Sequence, residues 1–128
     1  MRVAFLGAFD RGYPRVRVLQ EGLVKHGVDA RLYPLSAKPV LREAKLIQAW
    51  LSGAALADAF VVPSFAHRDV PPISLLTHAA GAPLLFDPLV SRWDTQVRDL
   101  GRVRPGSVAA ARLRASDALA MRLADVVL

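Results

Sequence analysis

Short apolar runs alternate along this chain with longer segments whose apolar residues recur every three or four positions. The short runs predict five β-strands, at residues 2–7, 29–33, 59–62, 83–86 and 126–128. The longer segments predict helices at residues 14–26, 39–56 and 73–80, and a final helix that Ser107 caps. Residues 87–100 are expected to turn and become helical, because Asp94 and Arg98 stand four apart and can pair.

The apolar stripes of the first two helices indicate which sides face a sheet. In the first helix, Pro14 suits the first helical position, and Gly27 suits the C-terminal cap. Its predicted buried face is formed by Val16, Leu19 and Leu23. The predicted buried face of the second helix is formed by Val40, Ala44, Ile47, Leu51 and Ala54.

Strands that alternate with helices predict an α/β fold, a doubly wound parallel sheet with helices on both faces. The right-handed crossover rule leaves strand orders such as 2-1-3-4-5 and 3-2-1-4-5. We favour 2-1-3-4-5, a Rossmann- or flavodoxin-like sheet of about five strands, because it places the third strand beside the first.

Composition agrees with one globular domain. The chain has 128 residues, of which 53% are hydrophobic and 22% are charged. It contains no cysteine, which excludes disulfides and cysteine-based metal or redox sites. We find no secretory signal, and prolines and a glycine interrupt the longest uncharged stretch, residues 70–86. We therefore expect a cytoplasmic protein.

The net charge of +6 either serves only solubility or indicates an anionic partner. Nucleic acid is not expected, because the arginines are scattered and no aromatic residues interleave with them. A phosphate-bearing substrate or an anionic membrane surface suits the charge equally well. Arg102, Arg104, Arg112 and Arg114 are the candidates for peripheral contact with the inner face of a membrane.

The loop after the first strand is the first candidate for chemistry. Gly7 and Gly12 have the spacing of the first and third glycines of a dinucleotide-binding loop, but Phe9 occupies the middle position. The second strand also ends without an acidic residue for a ribose, which argues against NAD. Gly12 and Tyr13 form either a plain turn or a phosphate- or sugar-binding turn at a helix N-terminus, where Arg15 adds positive charge.

Two further loops follow the third and fourth strands. In the order 2-1-3-4-5, His67 faces the first loop across the topological switch point, and Asp69 either orients its imidazole or begins the next helix. Asp87 follows the fourth strand, with Asp94 close behind, although aspartate before proline also initiates turns. The sequence has no paired carboxylates, no His-x-x-x-His and no nucleophile elbow, so we expect no metal site and no hydrolase.

Several segments resemble the N-terminal domain of group 1 retaining glycosyltransferases, which have the two-domain GT-B architecture. The likeness spans nearly the whole chain, and it rests on the order and spacing of short degenerate segments. They are GYPRVRVLQEGL (residues 12–23), PSFAHRD (63–69), LFDPLVSRWDT (85–95), PGS (105–107) and RLADVVL (122–128). One departure is that the first turn has a single glycine where many relatives have a pair.

The resemblance implies an activity, and it implies separate roles for two domains. A sugar would be transferred with retention from a nucleotide-diphosphate sugar to a sugar or lipid-linked acceptor, with no cofactor. By resemblance, Gly12 approaches the donor phosphates, His67 is the catalytic residue near the sugar, and Asp87 and Asp94 face the acceptor. The donor would be bound mainly by a second Rossmann-like domain, so the isolated first domain is expected to be inactive.

Domain organisation can be interpreted in two ways. Because the chain stops inside an apolar strand, we expect residues 1–128 to be the single acceptor-side domain of a longer two-domain protein. The alternative is a free-standing flavodoxin-like module that binds a small molecule or a partner without catalysis.

Overall fold

The computed structural model describes residues 1–35 and 38–128. Five parallel strands form one sheet in the order β2-β1-β3-β4-β5, which confirms the predicted fold class and strand order. The strands are β1 (Arg2–Gly7), β2 (Asp29–Pro34), β3 (Ala59–Val62), β4 (Leu84–Phe86) and β5 (Val126–Val127). The fold is a Rossmann-like α/β sheet.

Helices connect the strands. They are α1 (Pro14–Lys25), α2 (Pro39–Leu51), α3 (Val70–Ala80) and α4 (Val108–Leu123). Two short 3-10 turns, Ala54–Leu56 and His67–Asp69, precede β3 and α3, and a wide π-helical turn covers Asp94–Asp99. The predicted cap of α4 is confirmed, because the Ser107 hydroxyl accepts a hydrogen bond from the Ala110 N–H at 3.2 Å. None of the described helices is both long and apolar enough to cross a membrane.

The pleat of β1 divides the core into two layers. Ala4 and Leu6 belong to a buried cluster that α2, α3 and α4 cover. Val3 and Phe5 point to the opposite face and pack with Val16 of α1. Strand-to-strand crossovers are right-handed, so the direction of a crossover along the sheet decides which face its helix covers. The crossover from β1 to β2 runs in the opposite direction to the three later crossovers, and α1 therefore lies on the other face from α2, α3 and α4.

On one face of the sheet, α1 alone does not cover all five strands. An apolar groove of about 290 Å³ therefore remains beside α1 on that face. We call it the α1-side groove. It is lined by Met1, Val3, Phe5, Leu19, Leu23, Ala59, Val61, Pro83, Leu85 and Leu128.

The second helix differs from its predicted form. The buried residues of α2 are Leu46 and Ala49, whereas Val40 is 89% exposed and Leu51 is 81% exposed. Trp50 stacks on Phe60 of the sheet, with ring centroids 5.5 Å apart. The predicted stripe was wrong because α2 has apolar residues on more than one side, so periodicity alone could not select the side that faces the sheet.

Candidate functional site

The loops after β1, β3 and β4 lie at one edge of the sheet, because these three strands are parallel neighbours. In open α/β sheets, ligands bind beyond the carboxyl ends of the strands, where the strand order reverses. In this chain the reversal falls between β1 and β3, so the predicted site residues are found around it.

Gly12 and Tyr13 form the turn that leads into α1. The Gly12 N–H donates a hydrogen bond to Asp10 Oδ1 at 2.8 Å, so Asp10 shapes the turn. Tyr13 is extended at the N-cap of α1, and its ring meets Phe65 edge-on with centroids 5.9 Å apart. This contact joins the loop after β1 to the loop after β3.

A buried carboxylate also joins these two loops. Asp69 is 1% exposed, and its Oδ2 accepts a hydrogen bond from the Ala8 N–H at 2.7 Å. Its Oδ1 lies 3.1 Å from Arg42 Nη1. Burial raises the pKa of Asp69, and both partners act in the opposite direction. Of the two predicted roles of Asp69, the structure shows the one at the start of α3. Its side chain binds the backbone of the loop after β1.

Arg15 and Asp87, two predicted substrate-binding residues, form a bidentate ion pair with each other. Arg15 Nε lies 2.5 Å from Asp87 Oδ2, and Arg15 Nη2 lies 2.8 Å from Asp87 Oδ1. The Asp87 side chain is fully buried, whereas that of Arg15 is 41% exposed. The hydrogen bond and charge of Asp87 raise the pKa of Arg15. The pair ties the start of α1 to the end of β4.

His67, the predicted catalytic residue, lies at this edge but beneath the surface. Its side chain is fully buried, and its ring meets Phe86 edge-on at 4.9 Å. Its Nε2 is 3.7 Å from Asp117 Oδ1, and neither ring nitrogen has a hydrogen-bond partner within residues 1–35 and 38–128. Burial lowers the pKa of His67 below 6.5, although the charge of Asp117 acts in the opposite direction. Burial therefore favours the neutral imidazole.

Asp117 is the buried acid that sequence reasoning missed. It is 6% exposed, and its Oδ2 accepts hydrogen bonds from the Ser91 hydroxyl at 2.7 Å and the Trp93 N–H at 3.0 Å. It thus connects α4 to the loop after β4 and to His67. Its spacing from Ala110 and Ala120 is helical, and all three are buried on one side of α4 in the structure.

Asp94 lies farther along the loop after β4. Its side chain is 47% exposed and lies 3.3 Å from Arg98 Nη1, which confirms the predicted pair. Its backbone N–H donates a hydrogen bond to Ser91 Oγ at 3.1 Å, so it is linked through Ser91 to Asp117. Of the predicted acidic residues, Asp94 is accessible and Asp87 is not.

The start of α1 has one feature of an anion site. Among the residues that the structure describes, no side chain caps the N-terminus of α1, where the helix dipole favours negative charge. Over the same part of the chain, no three histidine, aspartate or glutamate side chains are grouped so as to hold a metal ion.

Comparison of the chain with protein-family models, with curated proteins and with solved structures found no match. The fold and the site geometry therefore rest on this chain's own residues.

Proposed function

We propose that residues 1–128 are the acceptor-binding half of a retaining glycosyltransferase of the GT-B architecture. The enzyme would transfer a sugar from a nucleotide-diphosphate sugar to a sugar or lipid-linked acceptor. The observation that carries the proposal is the convergence of the loops after β1, β3 and β4. These loops contain three of the family-like segments, and the Tyr13–Phe65 contact and the Arg15–Asp87 pair hold them together.

In this proposal the start of α1 approaches the donor diphosphate. Negative charge on the leaving group would be stabilised by the N-terminal N–H groups of α1 beside the Gly12 turn. The Arg15 guanidinium is partly exposed there, and its charge is shared with Asp87 in the ion pair. Tyr13 and the Arg15–Asp87 pair would form the wall that the substrates touch, while Asp94 would accept hydrogen bonds from acceptor hydroxyl groups.

His67 acts in this proposal as a neutral imidazole near the transferred sugar. Because the ring is fully buried, contact with a sugar requires the loop at residues 63–69 to open when substrates bind. Many enzymes complete the catalytic site through such loop movements. Until the loop opens, Phe86 and Asp117 hold the ring in place.

The proposal includes a second Rossmann-like domain that carries most of the nucleotide-sugar site. The α1-side groove supports this, because its apolar lining would be buried by another part of the same protein. Exposed Arg102, Arg104, Arg112 and Arg114 support peripheral contact with an anionic membrane surface from the cytoplasmic side.

The first experiment is to determine the coding sequence beyond Leu128. The proposal expects an open reading frame that encodes a second α/β domain, and a stop codon at that point would overturn it. The protein that includes this domain is then assayed for release of nucleoside diphosphate from a panel of nucleotide sugars, with and without candidate acceptors.

The role of His67 is tested in the same assay. We expect His67→Ala to lower kcat by about 100-fold or more. The matched control is His78→Ala, because His78 is exposed in the last turn of α3 and should leave kcat unchanged. An unchanged kcat in His67→Ala would remove His67 from the catalytic site.

The second candidate is a free-standing flavodoxin-like module that binds a small molecule or a partner without catalysis. The burial of His67 and the engagement of Asp87 by Arg15 favour it, because they leave neither side chain free to react. It predicts ligand binding by residues 1–128 without turnover. Transfer activity of a two-domain protein would exclude it.

A further inference from the structure

We propose that Arg68, Arg92 and Arg112 form a binding site for a ligand that carries a phosphate or diphosphate group. The three side chains line one cavity of about 590 Å³, together with the polar side chains of Gln96 and Ser116. We call it the arginine cavity. Its lining does not include Arg15 or Asp87, and the proposal does not depend on the glycosyltransferase hypothesis.

Three separate parts of the fold build the arginine cavity. Arg68 lies in the short turn His67–Asp69 after β3, Arg92 lies in the loop after β4, and Arg112 lies on α4. The buried contacts of Asp117 with Ser91 and the Trp93 N–H hold that loop against α4 on both sides of Arg92. The arginines are therefore brought together by ordered structure.

The side chains of these three arginines have no direct ion-pair partner among the described residues. Across residues 1–35 and 38–128, none of the three side chains forms a hydrogen bond or an ion pair, in contrast to those of Arg15 and Arg98. Arg92 is partly buried, and the nearby charges of Arg68 and Arg42 add to burial in lowering its pKa. A guanidinium stays protonated, so the group carries an electrostatic cost that a bound anion would offset.

The nearest carboxylates face other partners. Asp117 and Asp69 attract Arg92 electrostatically, but burial and the charge of Arg68 have larger effects on its pKa, and the net shift is downward. The hydrogen bonds of Asp69 come from the Ala8 N–H, and those of Asp117 come from Ser91 and Trp93. Neither carboxylate forms a direct ion pair with the three arginines, so their guanidinium groups are available to an external anion.

The chemistry of the lining favours phosphate. Guanidinium groups match the oxygens of phosphate in bidentate pairs, and several can engage one diphosphate. The volume lies within the usual range of small-molecule pockets and exceeds the needs of a single small ion. Gln96 and Ser116 can bind hydroxyl groups of whatever the phosphate is attached to. The phosphate can come from a free metabolite or from a lipid headgroup.

The test is calorimetric titration of the protein with inorganic pyrophosphate at physiological ionic strength. We expect saturable 1:1 binding, which Arg92→Gln and Arg112→Gln each weaken about tenfold, because a charge-assisted hydrogen bond is lost. Arg112 is exposed, so its variant should keep the fold even if Arg92→Gln does not. The matched control is Arg122→Gln, also exposed on α4 but outside the cavity, which should change affinity by less than about twofold.

Vesicles distinguish the two sources of phosphate. If the ligand is lipid-borne, the protein should sediment with phosphatidic acid vesicles, and pyrophosphate should release it. If the ligand is free, the protein should bind pyrophosphate and stay in the supernatant. The proposal is overturned if pyrophosphate does not bind saturably, or if Arg122→Gln weakens binding as much as Arg112→Gln does.

Discussion

Gly7 ends β1 at the point where the first site loop begins, and its backbone φ is +147°. A Cβ there would lie 2.9 Å from Ala66 Cβ and 3.6 Å from Asp69 Oδ2. We therefore expect Gly7→Ala to lower the free energy of unfolding by about 1–3 kcal/mol, from backbone strain and overpacking. Urea denaturation measures the change.

Gly22→Ala is the matched control, because an added Cβ at Gly22 of α1 would meet nothing within 4 Å. Replacing a glycine inside a helix by alanine should raise stability by up to about 1 kcal/mol. Equal effects of the two substitutions would show that the close approach at Gly7 carries no strain.

His67 should make stability depend on pH. Its pKa in the folded protein lies below 6.5 because burial disfavours the imidazolium, so the unfolded chain binds the proton first as pH falls. The contribution to stability is complete above pH 6.5 and is lost as pH falls through the window below it. His67→Gln should flatten this dependence by up to about 1.4 kcal/mol per pH unit.

Urea denaturation at several pH values below neutrality measures this difference between wild type and variant. Asp69 has the opposite effect, because a raised carboxyl pKa contributes stability that is lost as pH rises. Asp69 is present in both proteins, so the difference between the wild-type and His67→Gln profiles reports His67 alone. His78→Gln should keep the wild-type dependence. Identical profiles for wild type and His67→Gln would contradict the prediction.

Sequence reasoning selected the candidate residues by position but could not pair them. Gly12, His67 and Asp87 were found because each follows a predicted strand, and parallel strands bring such loops to one edge. The Arg15–Asp87 pair spans 72 positions of sequence, so only the folded sheet shows it. Asp117 was missed because one acid in an alanine-rich helix resembles an ordinary surface residue until the helix is packed.

At the scale of elements, the strands were easier to predict than the buried faces of the helices. The bounds of β1 and β3 agree with prediction, because a short apolar run between turn residues has few other interpretations. In α2 the predicted face is largely exposed, because Leu46 and Ala49 are the buried residues. When a helix is rich in alanine or has apolar residues on several sides, its contacts with the sheet decide which side is buried. The periodicity of the sequence does not contain that information.

At the scale of the whole molecule, the strand order 2-1-3-4-5 together with right-handed crossovers predicts an uneven cover of the sheet. Three helices lie on one face and one on the other, so the α1-side groove is a consequence of topology. The Arg15–Asp87 pair and the arginine cavity, by contrast, depend on individual long side chains that topology does not specify.

The α1-side groove should bind an uncharged apolar dye. Nile red is suitable, because its neutrality avoids attraction to the arginines. Leu128 lines the groove, whereas its neighbour Val127 is not part of the lining. We expect Leu128→Gln to weaken dye affinity by about fivefold, since a partly buried leucine contributes about 1 kcal/mol, and Val127→Gln to have little effect. Fluorescence titration measures both, and equal losses would place the dye elsewhere. In a two-domain protein of the kind we propose, the groove would be covered, and dye binding there should disappear.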